Sequence, residues 1–229
     1  MPVNKENYLS IKKELDEKQV TLVAVSKTKP QADILELYHL GQRDFGENYV
    51  QELSDKALQL PGDIRWHFIG HLQTNKVKLI TSFVQLIHGV DSLKLLKEIN
   101  KEAEKSKRII DCLLQVHIAK EETKFGLDEN ELITIIDETG NNKKNHLKIA
   151  GLMGMASFTE DMELVRAEFR LLKGLFDKQF SPVGLDDNIS ATQYRFPVLS
   201  MGMSSDYRLA VEEGSTMVRI GSLLFGERG

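Results

Sequence analysis

The chain is poor in features that define whole classes of protein. It has one cysteine in 229 residues, Cys112, and a single thiol cannot form an internal disulfide. We expect a reducing environment and a buried strand cysteine rather than a nucleophile. No run approaches the ~18 apolar residues of a membrane span, and the N-terminus lacks the apolar core of a secretory signal. The sequence therefore predicts a cytoplasmic protein with no membrane partner.

An excess of positive charge is also missing. The chain has 30 Lys and Arg against 34 Asp and Glu, a formal net charge of -4 at pH 7. Binding to a nucleic-acid backbone depends on clustered Lys and Arg, so we expect no nucleic-acid partner. Hydrophobic residues make up 41% and charged residues 28%, which is ordinary for a globular protein with a core.

Short apolar runs alternate with longer amphipathic segments along the whole chain. After an initial helix over Asn4–Lys18, eight strands are predicted: Val20–Val25, Asp44–Glu47, Ile64–Gly70, Leu86–Val90, Ile109–Ile118, Leu147–Met155, Val198–Met201 and Thr216–Gly221. The helices between them are predicted at Pro30–Leu40, Tyr49–Leu60, Asn75–Ser82, Leu93–Lys105, Glu129–Glu138, Asp161–Gln179 and Asp206–Glu213.

Eight such units favour a closed barrel over an open doubly wound sheet. We predict one domain over residues 1–229, an α/β fold consisting of a single (β/α)8 TIM-type barrel with an extra N-terminal helix. The chain stops soon after the eighth strand, and we expect the N-terminal helix to cover the place of a full eighth helix. The longest loop is predicted at Ser181–Pro197.

Two neighbouring strand ends carry residues suited to phosphate. Barrel active sites lie at the carboxyl ends of the strands, and phosphate commonly binds after strands seven and eight. Ser204 and Ser205 come immediately before a helix, and Gly221 and Ser222 follow the eighth strand. Helix N-termini offer unpaired N–H groups to an anion. A simpler alternative is that Ser204 only caps its helix.

Lys27 ends the first, β-branched strand. Desolvation favours a neutral amine, which attacks carbonyl groups, although a lysine at a strand end more often extends into solvent. A reactive amine across the mouth from a phosphate site predicts a site for an aldehyde phosphate. Arg219, two residues before Gly221, would face the nitrogen of a bound pyridine and keep it unprotonated, or would pair with a carboxylate in the barrel.

Other chemistries have weaker support. His67 and His71 are four residues apart, but this segment reads as strand and loop, and no Cys or acidic cluster joins it, so we predict no metal site. No Gly-x-Ser-x-Gly motif supports a Ser-His-Asp triad. A barrel enzyme acting on a phosphorylated sugar, with Lys27 as a Schiff-base aldolase lysine, stays open.

Six segments together resemble the pyridoxal phosphate homeostasis proteins, the YggS/PROSC group. They run in the family's order along most of the chain: Val23–Pro30, Phe45–Glu52, Trp66–Lys76, Gly151–Met153, Leu199–Asp206 and Gly214–Ser222. The resemblance implies a barrel like the N-terminal domain of alanine racemase, with pyridoxal 5'-phosphate (PLP) held as a Schiff base on Lys27. It also implies three further sets of cofactor-binding residues: Ser204, Ser205, Gly221 and Ser222 for the phosphate, Arg219 for the pyridine nitrogen, and Asn48, His67 and Met201 near the ring.

The resemblance implies a role in intracellular PLP homeostasis, with apo PLP-dependent enzymes as recipients. Racemases carry a second β domain with a tyrosine acid/base, and this chain ends at Gly229. We therefore expect a monomer that holds the cofactor, and we assign no catalytic residue. The alternative is a small PLP-dependent amino-acid racemase or isomerase. The run Gly154–Ser157 departs from the family's pattern.

Overall fold

Eight parallel strands pair in chain order and close into a barrel. The computed structural model describes residues 3–121, 125–140, 146–180 and 197–226. The strands are β1 Thr21–Val25, β2 Asp44–Glu47, β3 Arg65–Phe68, β4 Leu86–Val90, β5 Ile110–Gln115, β6 Leu147–Met153, β7 Val198–Ser200 and β8 Met217–Ile220. Closure occurs where β1 pairs with β8, with Ala24 opposite Ile220. The predicted (β/α)8 barrel is confirmed.

The helices surround the barrel. They are α1 Lys5–Glu17, α2 Gln31–His39, α3 Val50–Gln59, α4 Leu93–Lys105, α5 Glu129–Gly140, α6 Met162–Gln179, α7 Tyr207–Glu212 and α8 Ser222–Phe225, with a 3-10 helix at Thr74–Leu79 between β3 and β4. Among the described residues, none of these helices is long and apolar enough to span a bilayer.

The alternation of side chains along the strands divides the core into two parts. A small cluster fills the barrel, made of Val23, Leu86, Leu113, Ala150, Met153, Val198 and Met217. A larger cluster packs the outer faces of the strands against the helices. Cys112 belongs to this outer core and is fully buried in β5, as predicted, and burial raises the pKa of its thiol.

The N-terminal helix α1 covers the place where a full eighth helix would lie, as expected. Helix α8 has four residues, and its carbonyl groups are capped by the start of the chain. The N–H of Asn4 donates to the Leu224 carbonyl at 2.8 Å, and Nδ2 of Asn7 donates to the Leu223 carbonyl at 3.2 Å. Helix α1 therefore fixes the segment that follows β8.

Some predicted boundaries differ from the observed ones. The helix predicted at Asn75–Ser82 is the 3-10 helix, because its bonds span three residues, as from Lys76 N–H to the Gln73 carbonyl. Strand β6 ends at Met153, before the predicted Met155. The predicted loop Ser181–Pro197 lies outside the described residues except for Pro197.

Candidate functional site

A cleft of about 620 Å³ opens at the carboxyl ends of β1, β7 and β8. Seven of the nine residues predicted to bind a cofactor lie on its wall: Lys27, Asn48, Ser204, Ser205, Arg219, Gly221 and Ser222. Apolar side chains supply much of the remaining wall: Val25, Ile69, Met155, Phe158, Met203 and Leu223. The cleft therefore combines an amine, a guanidinium and several hydroxyl groups on a partly apolar surface.

Two predicted residues lie behind this wall. Met201 is fully buried in the outer core, because it follows Ser200 on the strand and the alternation turns it toward the helices. His67 is fully buried inside the barrel, where Nδ1 lies 2.9 Å from Nε2 of His88. Neither side chain forms part of the cleft wall, and that they lie near a bound ring stays a prediction.

The backbone on the N-terminal side of Lys27 is held by buried charges. The Ser26 hydroxyl donates to Oε1 of Glu47 at 2.6 Å, and Nζ of Lys56 donates to the Ser26 carbonyl at 2.8 Å. Lys56 also pairs with Glu47 at 2.8 Å. Burial raises the pKa of Glu47 above its ordinary value, against the lowering effects of Lys56 and Ser26. Glu47 and Lys56 thus connect α3 to the end of β1.

The residue after Lys27 has an unusual backbone. Thr28 has φ 63°, the left-handed region that β-branched residues rarely adopt. Its N–H donates to Oε1 of Glu52 at 2.6 Å, and the same oxygen accepts from Lys56 at 2.7 Å. Sequence reasoning did not identify Glu52 and Lys56; their i,i+4 spacing on α3 was the available signal. The turn at Lys27 is therefore set from both sides by one ionic network.

The opposite wall presents hydrogen-bond donors. Among the described residues, the N–H groups of Ser204, Ser205, Ser222 and Leu223 make no hydrogen bond. Gly221 N–H donates to the Ser204 hydroxyl at 3.2 Å, which joins the loops that follow β7 and β8. Free N–H groups beside serine hydroxyls suit an anion, and that a phosphate binds here stays a prediction.

Gly202 shapes the first of these loops. Its φ is +93°, and an added Cβ would lie 2.5 Å from the Cβ of Ala210 and 3.1 Å from the Cα of Tyr207. Its carbonyl accepts from Arg219 N–H at 3.0 Å. Glycine therefore allows α7 to approach β8 at the cleft.

Arg219 forms part of the cleft wall and is almost fully buried. Nη1 donates to the carbonyl and the hydroxyl of Ser200, at 2.9 and 2.6 Å, and Nη2 donates to the Gly154 carbonyl at 3.1 Å. Burial lowers the pKa of Arg219 to about 10, against a raising effect of Asp206, so the group stays charged at neutral pH. The hydrogen bonds of the Arg219 guanidinium therefore go to Ser200 and Gly154 and not to a carboxylate in the barrel, which was the alternative.

Asn48 supplies an unused acceptor. Its Oδ1 is buried and has no hydrogen-bond partner among the described residues. Its backbone passes so close to Gly70 that a Cβ there would lie 2.2 Å from the Asn48 carbonyl oxygen. A buried polar atom without a partner is costly, so this oxygen fits a bound donor.

The second histidine of the His67–His71 pair lies elsewhere. Nδ1 of His71 is 3.1 Å from Oδ2 of Asp91, and its ring stacks on Phe125 at 4.3 Å between centroids. No group of three or more metal-ligating side chains occurs among the described residues.

Comparison with known proteins agrees with this geometry. The family model of the alanine racemase N-terminal domain matches residues 4–229. A relative from Aquifex aeolicus, named pyridoxal phosphate homeostasis protein, is 42% identical over 208 residues, which are 90% of this chain and 86% of the relative. The human protein of that name is 43% identical over 220 residues, 92% and 77% of the two chains. This chain belongs to the pyridoxal phosphate homeostasis family.

Solved structures show that the barrel of this family has the same fold as the barrel of alanine racemase. PipY of Synechococcus elongatus, determined with PLP bound, aligns with a TM-score of 0.82 at 35% identity and covers 96% of this chain and 99% of its own. Alanine racemase from Clostridium difficile aligns with a TM-score of 0.72 at 15% identity, over 98% of this chain and 56% of the racemase, and shows the shared fold. The resemblance found in the sequence is confirmed.

Proposed function

We propose that this chain binds PLP in the cleft and serves intracellular PLP homeostasis, with Lys27 holding the cofactor as a Schiff base. One observation carries the proposal: a single cleft unites the amine of Lys27, the guanidinium of Arg219 and the donor loops after β7 and β8. The names of the relatives and the PLP-bound state of PipY support it.

The residues on the wall fit the phosphate, the ring nitrogen and the aldehyde of PLP. The free N–H groups and hydroxyls of Ser204, Ser205 and Ser222 suit a phosphate. Arg219 uses three N–H groups in its hydrogen bonds to Ser200 and Gly154, which leaves Nε–H and one Nη2–H for a ring nitrogen. When bound, PLP supplies an aldehyde that a lysine amine captures reversibly with loss of water.

The charges on the wall favour a protein that stores the cofactor over an enzyme that uses it to convert a substrate. In the described part of the cleft, the ionisable side chains are those of Lys27, Lys29 and Arg219. Nζ of Lys29 donates to the Phe225 carbonyl at 2.9 Å and caps α8. A racemase needs a proton carrier on each face of its substrate, so this arrangement supports storage and delivery. We propose a cytoplasmic monomer with apo PLP-dependent enzymes as recipients.

Absorbance tests the proposal. The purified protein should be yellow or become yellow with added PLP, and Lys27→Ala should remove the visible band. Lys13→Ala, an exposed lysine on α1, is the matched control and should keep it. A colourless wild type that takes up no PLP would overturn the proposal, and a band that survives Lys27→Ala would overturn the assignment of the lysine.

A second experiment separates a carrier from the racemase alternative. The loaded protein is incubated with L-amino acids in deuterated water, and α-proton exchange is followed by NMR. We expect exchange no faster than with free PLP, together with recovery of activity when the loaded protein is mixed with an apo-enzyme. Rapid exchange that depends on Lys27 would favour the racemase.

A further inference from the structure

A chain of hydrogen bonds crosses the inside of the barrel and ends at Arg219. Its members, called here the polar chain, are Asp44, His67, His88, Ser200 and Arg219. Nε2 of His67 lies 3.0 Å from Oδ1 of Asp44, and Nδ1 of His67 lies 2.9 Å from Nε2 of His88. Nδ1 of His88 lies 3.2 Å from the Ser200 hydroxyl, which accepts from Nη1 of Arg219 at 2.6 Å.

The polar chain is buried along its length. His67, His88 and Ser200 have no exposed surface, and Asp44 and Arg219 are 7% and 4% exposed. Its members come from five strands and lie among the apolar side chains that fill the barrel. Buried polar groups are tolerated when each has a partner, so the order of donors and acceptors along the chain is constrained.

The two ends determine that order. Arg219 can only donate, so the Ser200 oxygen accepts from it, and the Ser200 proton is available to Nδ1 of His88 when that nitrogen carries no proton of its own. His88 then carries its proton on Nε2 and donates it to Nδ1 of His67. His67 in turn carries its proton on Nε2 and donates it to the carboxylate of Asp44, which can only accept. We assign both histidines as neutral Nε2–H tautomers because this uses every donor and acceptor.

The local charges agree with a neutral His88 between two fixed ions. Burial, with the nearby charge of Arg219, lowers the pKa of His88 well below its ordinary value. At the other end, hydrogen bonds from Arg65 and His67 outweigh burial and lower the pKa of Asp44 to about 2. Asp44 is therefore an anion and Arg219 a cation at neutral pH.

We propose that the polar chain is a positioning device for Arg219, in which His67, His88 and Ser200 hold the guanidinium so that its remaining N–H groups face the pyridine nitrogen of PLP. This inference rests on the proposed function. The other charged groups that act at this place are Asp206, at the start of α7, and Lys27 on the same wall. A side chain fixed by a directed hydrogen bond keeps the ring nitrogen unprotonated more effectively than one free to move.

The tautomers are tested on the protein without PLP. Nitrogen-15 NMR of labelled histidine should show His88 as a neutral Nε2–H ring between about pH 5 and 8. A proton on Nδ1 of His88, or a charged His88 in this range, would reverse the order of donors and overturn the inference.

The positioning role is tested with PLP labelled at its ring nitrogen. Ser200→Ala removes the hydroxyl but keeps the backbone carbonyl that Arg219 also contacts. We expect the pKa of the ring nitrogen to rise by about one unit, a tenfold gain in proton affinity. His88→Leu should do the same, whereas His88→Asn retains an acceptor near the place of Nδ1 and should stay close to the wild type.

Thermal unfolding checks that each variant is folded. If His88→Leu does not fold, Ser200→Ala alone decides the test. A normal visible band with an unchanged ring titration in Ser200→Ala would overturn this inference alone. A wild type that forms no visible band would instead mark the failure of the proposed function.

Discussion

Lys56 donates from Nζ to the carbonyl oxygen of Ser26, 2.8 Å away, and so holds the peptide that leads into Lys27. The same ammonium lies 2.8 Å from Glu47 and 2.7 Å from Glu52. Lys56 is 5% exposed and Glu47 is fully buried. A surface helix therefore controls the strand end that carries the candidate cofactor lysine, and it does so through charges that are removed from water.

Removing the ammonium group of Lys56 should strongly destabilise the fold. Lys56→Met leaves the buried carboxylate of Glu47 without its counter-ion, and breaking a buried ion pair from one side costs about 3–5 kcal/mol. We expect the free energy of unfolding, measured in urea, to fall by about that amount. The double variant Lys56→Met, Glu47→Gln should recover part of the loss, because the uncompensated charge is gone.

The matched control is Lys12→Met, which removes a lysine from the i,i+4 pair that it forms with Asp16 on the surface of α1. Its effect should stay below about 1 kcal/mol. A Lys56→Met protein as stable as Lys12→Met would contradict the account of the network.

Replacing Thr28 with glycine should make the protein more stable. A left-handed conformation costs a non-glycine residue about 1–2 kcal/mol, and glycine adopts it without strain but loses more entropy on folding. We expect Thr28→Gly to raise the free energy of unfolding by up to about 1 kcal/mol, since Thr28 is exposed and its N–H bond to Glu52 is kept.

The same substitution at Thr134, an exposed residue inside α5, provides the contrast. Glycine in a helix interior is unfavourable, so Thr134→Gly should lower stability. Equal losses at Thr28 and Thr134 would show that the left-handed turn at Lys27 is not strained.

The fold and most of the cleft follow from local patterns. β-Branched runs and amphipathic segments identify the strands and helices, and the rule that barrel sites lie at strand ends brings Lys27, Ser204 and Arg219 together. Met201 lies outside the cleft wall because one step along a strand reverses the face, and its neighbour Ser200 is the inward residue. The hydrogen bonds behind Arg219 depend on register across the barrel: His88 and Ser200 are 112 residues apart.

The loop that follows β7 should not tolerate a side chain at Gly202. With φ +93° and a Cβ that would lie 2.5 Å from Ala210, Gly202→Ala must displace α7 from the cleft. We expect a loss of about 1–3 kcal/mol in unfolding free energy and a weaker affinity for PLP by equilibrium titration. Gly62→Ala is the control, since nothing lies within 4 Å of a Cβ there, and it should be neutral or slightly stabilising. Similar affinities for PLP in the two variants would contradict the role given to Gly202.

The stabilisation by the charge of Asp44 should be lost at acid pH. Its folded-state pKa of about 2 lies below the ordinary 3.8, because hydrogen bonds from Arg65 and His67 overcome burial. The unfolded chain therefore takes up this proton first as the pH falls. The stabilisation is fully present above about pH 4 and is lost as the pH falls toward 2, with a ceiling of about 2 kcal/mol.

Urea unfolding of the wild type and Asp44→Asn between pH 7 and about pH 3 measures this contribution. Asp44→Asn should be less stable at pH 7, and the gap between the two curves should narrow as the pH falls below about 4, since the wild type alone loses the carboxylate. Asp177→Asn, an exposed position on α6, should follow the wild type throughout. A gap that is constant with pH would mean that Asp44 stabilises the barrel by its shape and not by its charge, and the polar chain would then lack the fixed anion at its far end.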